Sequence, residues 1–159
     1  LDGGIQVEKW MAGMLREIYL QRYGEGKVNE LIESGKHWAL TGGGAKTAHE
    51  QQDYERCLRL ARMALPKAPT PDAREQMLYY IVKSLWKLNR LDEALAETRK
   101  GISEFPDQQT FHYMFAVVAL ERGDPLEEAY ERAKRTVDIL TTNTGANEVY
   151  ETLRRRLRK

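Results

Sequence analysis

Residues 71–106 read PDAREQMLYYIVKSLWKLNRLDEALAETRKGISEFP. Thr70 supplies a hydroxyl N-cap, and Pro71 sits in the first turn, where its missing N–H costs nothing. Leu78, Ile81, Val82 and Leu85 then recur at three- and four-residue spacing, as an amphipathic helix requires. Asn89-Arg90 makes a polar turn. A second helix begins at Leu91, with Asp92 and Glu93 at the positive end of its dipole. Pro106 closes the unit. A weaker copy follows at Asp107–Leu140, and half of one precedes it at Gln52–Pro69. Units of this period cannot bury their apolar faces alone, so they are expected to stack.

Outward from that stretch, Ile5–Arg22 predicts a helix with one apolar stripe: Val7, Trp10, Met11, Met14, Leu15, Ile18 and Tyr19. Gly24 and Gly26 are expected to end it, and Gly26–His37 to form a shorter helix. The glycine run in Thr41–Gly44 predicts a flexible loop over 41–47. A helix is then expected from Thr47 to Leu65, with Tyr54, Cys57, Leu58, Ala61, Ala64 and Leu65 inward and Pro66 and Pro69 as its stop. In the third pair, Gly123-Asp124-Pro125 is the turn and Leu126–Leu140 the second helix. Thr141–Gly145 reads as a polar loop, and Asn147–Lys159 as a final helix carrying Val149, Leu153 and Leu157. The organisation expected is N-terminal helices over 1–40, a glycine-rich loop over 41–47, helical repeats over 48–140 and a capping helix over 141–159.

The chain has 159 residues, enough for one domain with a real core. Apolar residues make up 42% and charged residues 31%, a balance typical of soluble globular chains. A net charge of +1 gives no global field to steer nucleic acid or membrane. Cys57 is the only cysteine, so there is no internal disulfide framework. A reducing, cytoplasmic compartment is the expectation. The longest apolar run, Tyr113–Leu120, is roughly eight residues, too short to span a bilayer. A chain beginning at Leu1 rather than Met is expected to be a processed or excised piece.

The repeat spacing resembles the tetratricopeptide repeat, whose period is about 34 residues. Leu78, Ile81 and Leu85 match its large first-helix positions. Ala94, Gly101 and Pro106 match its small crossing residues and closing proline. Val82 replaces a small residue and Leu91 an aromatic one. The third pair matches with Phe115, Ala116, Ala119 and Gly123, then shifts by one residue before Ala129. The first unit keeps Tyr54, Cys57, Ala64, Leu65 and Pro69, but its first helix is degraded by the glycine run. The resemblance covers about Gln52–Leu140 and implies an all-α fold: a short right-handed array of antiparallel helix pairs with a capping helix at each end.

A narrower likeness to the mitochondrial fission adaptor rests on Leu65-Pro66-Lys67, Arg74, Tyr79-Tyr80, Lys87-Leu88, Leu91 and Ala94. That family is tail-anchored, which implies a membrane-associated adaptor at the cytosolic face. Similar repeats follow some bacterial glycosyltransferase domains, which implies an accessory module of a larger enzyme.

No coherent catalytic set emerges. Thr41–Thr47 is similar to a phosphate-binding loop and to the oxyanion-hole glycines of patatin-like lipases. Leu40 and Ala45 stand where the first motif needs glycine. Ser34, Ser84 and Ser103 lack the G-x-S-x-G elbow that the second needs. His37, His49 and His112 share no metal-ligand spacing, so no metal or cofactor is expected. Cys57 lies on an apolar helix face and reads as a core residue. Arg154, Arg155, Arg156, Arg158 and Lys159 make a basic end, read as a solvated face of a capping helix or as a contact for acidic protein, RNA or anionic lipid. No aromatic residues interleave with it, so the nucleic-acid signal is weak.

The expected function is a non-catalytic interaction scaffold. The repeat resemblance implies that first helices line a concave groove. Gln76, Tyr79, Lys83, Trp86 and Lys87 would face inward from one pair, and Thr110, Tyr113, Val117, Leu120 and Glu121 from the next. Aromatic rings beside cationic stems suit a peptide or partner helix with an apolar anchor and a nearby acid. Lys83 stands where carboxylate-clamping relatives carry asparagine, so that specificity is not expected. The alternative reading packs Tyr79 and Trp86 on the N-terminal helix as core. Self-association through that helix is a further expectation.

Overall fold

The computed structural model describes residues 2–139 and 142–159, with side chains from residue 13 onward. Leu140 and Thr141, and the side chains of Val7, Trp10 and Met11 from the first apolar stripe, lie outside the described residues. Among those described, the long elements are α1 (Asp2–Ser34), α2 (Trp38–Glu50), α3 (Tyr54–Ala64), α4 (Pro71–Lys87), α5 (Leu91–Glu104), α6 (Gln109–Arg122), α7 (Leu126–Ile139) and α8 (Thr144–Leu157). The chain is all-α, as expected. It divides into two compact units, residues 1–84 and 85–159.

In the first unit, α1 is broken at Gly24, whose φ of 79° and ψ of 169° suit glycine almost alone. The break stands where the glycines predicted one, although Gly26 lies within the resumed helix. Beyond the break, Val28 and Ile32 are buried, and α1 packs on α2.

The expected loop over 41–47 is corrected by the structure: α2 runs unbroken from Trp38 to Glu50. Three consecutive helical glycines sacrifice about 2–3 kcal/mol of propensity relative to alanine. Packing explains why the helix survives. A Cβ on Gly44 would lie 2.5 Å from Ile32 Cγ2 and 3.1 Å from Leu60 Cδ1, so only a bare backbone lets α1, α2 and α3 approach this closely. The buried Thr41 hydroxyl donates to the Ile32 carbonyl at 2.8 Å, leaving no unmet donor at the crossing.

The helix expected over 47–65 is likewise two helices. It breaks at 51–53, where Gln52 takes a left-handed φ of 60°. The amides of Gln51, Gln52 and Asp53 bond back to Thr47, His49 and Ala48 carbonyls. Asp53 then caps α3 by accepting from the Arg56 amide at 3.1 Å. The 3₁₀ turn Leu65–Lys67 ends α3 at the expected proline. At the start of α4, Thr70 Oγ1 accepts from the Ala73 amide at 3.2 Å, as its sequence foretold.

In the second unit, the turn after α4 uses Asn89 at φ 59°, with the Arg90 amide reaching the Leu85 carbonyl at 2.8 Å. The α5–α6 crossing depends on Gly101, because a Cβ there would sit 2.6 Å from the Phe111 ring. Small residues Ala116, Ala119, Ala129 and Ala133 are buried where α6 packs on α7. Gly123 caps α6 at φ 89°. His112 is buried; its Nε2–H donates to the Pro106 carbonyl at 2.8 Å, and Nδ1 faces Arg132 Nη1 at 3.4 Å. Asn143 accepts from the Ala146 amide at 3.0 Å, so α8 starts at Thr144, inside the loop expected over 141–145. Leu153 and Ala146 bury its inner face, and Tyr130 stacks on Tyr150 at 5.4 Å.

Candidate interaction surfaces

Gln76, Tyr79 and Lys83 lie on α4 within the first unit, and the structure adds a residue that the sequence reading weighed only as a metal ligand. His49 of α2 sits among the rings of Tyr54, Tyr79 and Tyr80, with centroids 6.1, 6.0 and 5.2 Å away. Tyr79 is half-buried by these rings, and Tyr79 and Tyr80 approach within 5.7 Å. Burial holds His49 below the ordinary histidine range, and the neighbouring Lys83 reinforces this against Glu50. Its Nε2 is buried with no hydrogen-bond partner among the described residues. Burial also pushes the Tyr80 hydroxyl up to about 12, with Gln76 hydrogen-bonded to it. The signal for His49 was hidden, because its approach to α4 depends on α2 being helical through the glycines.

Trp86, Lys87, Tyr113, Val117 and Glu121 belong to the second unit. Trp86 is half-buried; its indole N–H donates to Glu121, and Lys87 Nζ lies 4.7 Å above its ring. The last turn of α4 is thereby tied to α6. Tyr113, Val117 and Glu121 follow at four-residue spacing along α6, the first two half-buried and the third exposed. The Tyr113 hydroxyl abuts the start of α8: a Cβ on Gly145 would lie 3.0 Å from it. Thr110 is exposed and Leu120 half-buried on the same helix. The aromatic platform therefore has a cation over its face and a carboxylate at its edge.

The other tempting residues take quieter places. Cys57 is fully buried, and burial pushes its thiol up, away from the reactive thiolate. His37 is exposed, its ring 6.4 Å from Tyr19. The basic end folds back on its own unit: Lys159 pairs with Glu127 at 2.7 Å and lies over Tyr130 at 4.8 Å, while Arg154 pairs with Glu151 at 3.5 Å. The depression along α8, lined by Thr144, Glu148, Glu151 and Arg155, is an open face of one helix. No helix among the described residues is long and apolar enough to cross a membrane. No protein-family model matches the chain, and no curated protein matches it.

Proposed function

We propose that this chain is a non-catalytic interaction module of the tetratricopeptide type, holding extended peptide or a partner helix on the faces of its first helices. The observation that carries the reading is the Trp86 platform. A half-buried indole capped by Lys87 and edged by Glu121 combines an apolar anchor with both charge signs. Val117, one turn before Glu121 on α6, is half-buried. In the first unit, Tyr79 and Lys83 lie four residues apart on α4, the spacing of one helix face. Such surfaces bind through one desolvated aromatic anchor with a polar rim that sets orientation. Cys57 and His112 serve the structure: Cys57 is in the core and His112 bonds to backbone.

The test is panning of a random-peptide library on the intact chain. Selected peptides should bind wild type and lose about tenfold or more on Lys83→Glu/Lys87→Glu, with far-UV CD unchanged. Selected peptides that bind the reversed variant equally well would refute the assignment of these faces.

A further inference from the structure

In the part of α1 that precedes Gly24, no residue is buried among those whose side chains are described. From 13 to 23 every position is exposed or half-buried, with Met14 at 41%, Ile18 at 52% and Tyr23 at 50% exposure. Past the glycine, Val28 and Ile32 fall to 1% and 4%. An amphipathic helix draws its stability chiefly from packing its apolar face. Here Met14 and Ile18 of that face stay exposed, and Leu15 and Tyr19 are only half-buried, within the described residues of the first unit.

Spacing and charge say what covers it. Val7, Met11, Met14 and Ile18 are separated by steps of four, three and four, the repeat of a coiled-coil seam. Placing them at the a and d positions puts Trp10 and Glu17 at g, and Glu8, Leu15 and Arg22 at e. In a parallel pair, each g position faces the next e position of the other helix. Glu17 then meets the partner's Arg22, and Trp10 meets the partner's Leu15, each twice by symmetry. An antiparallel pair would instead set Glu17 against Trp10 and Glu8 against Leu15, burying acids on apolar surface. Arg22 is already extended over the exposed Tyr23 ring, 5.4 Å from its centroid. The polar face also argues against a lipid surface. Asp2, Glu8 and Glu17 balance Lys9, Arg16 and Arg22, whereas interfacial helices are rich in cations.

We infer that two copies of this chain associate through α1, in parallel, with residues 7–22 as a short two-stranded coiled coil and Gly24 as the joint to each folded unit. This does not depend on the peptide-binding reading. Such a dimer would present two copies of the module to a bivalent partner, and linked binding of this kind raises avidity well beyond either single affinity.

Sedimentation equilibrium of the full chain tests it, with far-UV CD as a check on folding. Wild type should be dimeric at about 100 µM, which corresponds to a dissociation constant at or below that range. Glu17→Arg and Arg22→Glu, both on exposed residues, should each weaken the dimer about tenfold, because each sets like charges opposite one another. The double variant E17R/R22E restores the pairing with its signs exchanged and should recover wild-type association. A monomeric wild type would overturn the inference, as would a dimer indifferent to either single reversal or a double variant that stays dissociated. A monomer that binds vesicles of mixed phosphatidylcholine and phosphatidylglycerol would assign the face to lipid, and overturn it too.

Discussion

Replacing the three glycines of α2 one at a time should give three different answers. Gly43→Ala adds a methyl group that meets nothing within 4 Å. It should stabilise the protein by about 0.5–1 kcal/mol, the helix-propensity difference between glycine and alanine. At roughly 2–4 °C per kcal/mol for a chain of this size, Tm should rise by about 1–4 °C. Gly44→Ala gains the same propensity, but its Cβ falls 2.5 Å from Ile32 Cγ2 and 3.1 Å from Leu60 Cδ1. Carbon atoms prefer about 3.5–4.0 Å, so buried branched side chains from α1 and α3 must move. Overpacking of this kind costs about 1–3 kcal/mol. The propensity term cancels between the two variants, so Gly44→Ala should lie about 1–3 kcal/mol below Gly43→Ala. Gly42→Ala meets Met77 Cε at 3.4 Å and Sδ at 3.5 Å, the flexible end of a side chain. It should stay within about 0.5 kcal/mol of Gly43→Ala. Urea unfolding with matched m-values is the assay. A double-mutant cycle with Ile32→Ala, which removes the contacted methyl, should shrink the Gly44→Ala penalty. If Gly44→Ala proves as stable as Gly43→Ala, the close crossing is refuted, because a solvated loop would treat both positions alike.

Other outcomes follow from the same geometry. Gly101→Ala places a Cβ 2.6 Å from the rigid Phe111 ring and should destabilise by about 1–3 kcal/mol in urea unfolding. Gln52→Gly should stabilise by roughly 1 kcal/mol, since the residue holds φ 60° in the α2–α3 turn. His112 is held below the ordinary histidine range, mainly by burial, with Arg135 and Arg132 adding to it against the Pro106 hydrogen bond. The unfolded chain therefore takes up the proton first, so stability is full above about pH 6.5 and declines as pH falls below it. His112→Gln should flatten that part of the pH–stability profile, to which His49 contributes with the same sign. Trp86→Phe removes the donor to Glu121 while keeping an aromatic face. It should weaken selected peptides less than Trp86→Ala does in a fluorescence-anisotropy titration.

Helix existence was legible wherever the apolar spacing was strong and a cap was spelled out. Thr70-Pro71 and Gly123 mark their termini by local chemistry, which needs no tertiary partner. The α2–α3 turn was legible in principle, since Asp53 is a good N-cap, but the apolar spacing of 54–65 hid it. Of the proposed interaction residues, the sequence supplied α4 and α6, while His49 became visible only with the structure. The aromatic character of that surface depends on how far α2 extends.

By itself, the sequence determined the helical class, the turns at Asn89 and Gly123 and the break at Gly24, because each is a contest between neighbours within a few residues. Only the tertiary structure decided the fate of the glycine run. Local entropy favours a loop there by about 2–3 kcal/mol. Ile32 and Leu60 reverse that outcome from 12 and 16 residues away, through the space that a missing Cβ leaves open.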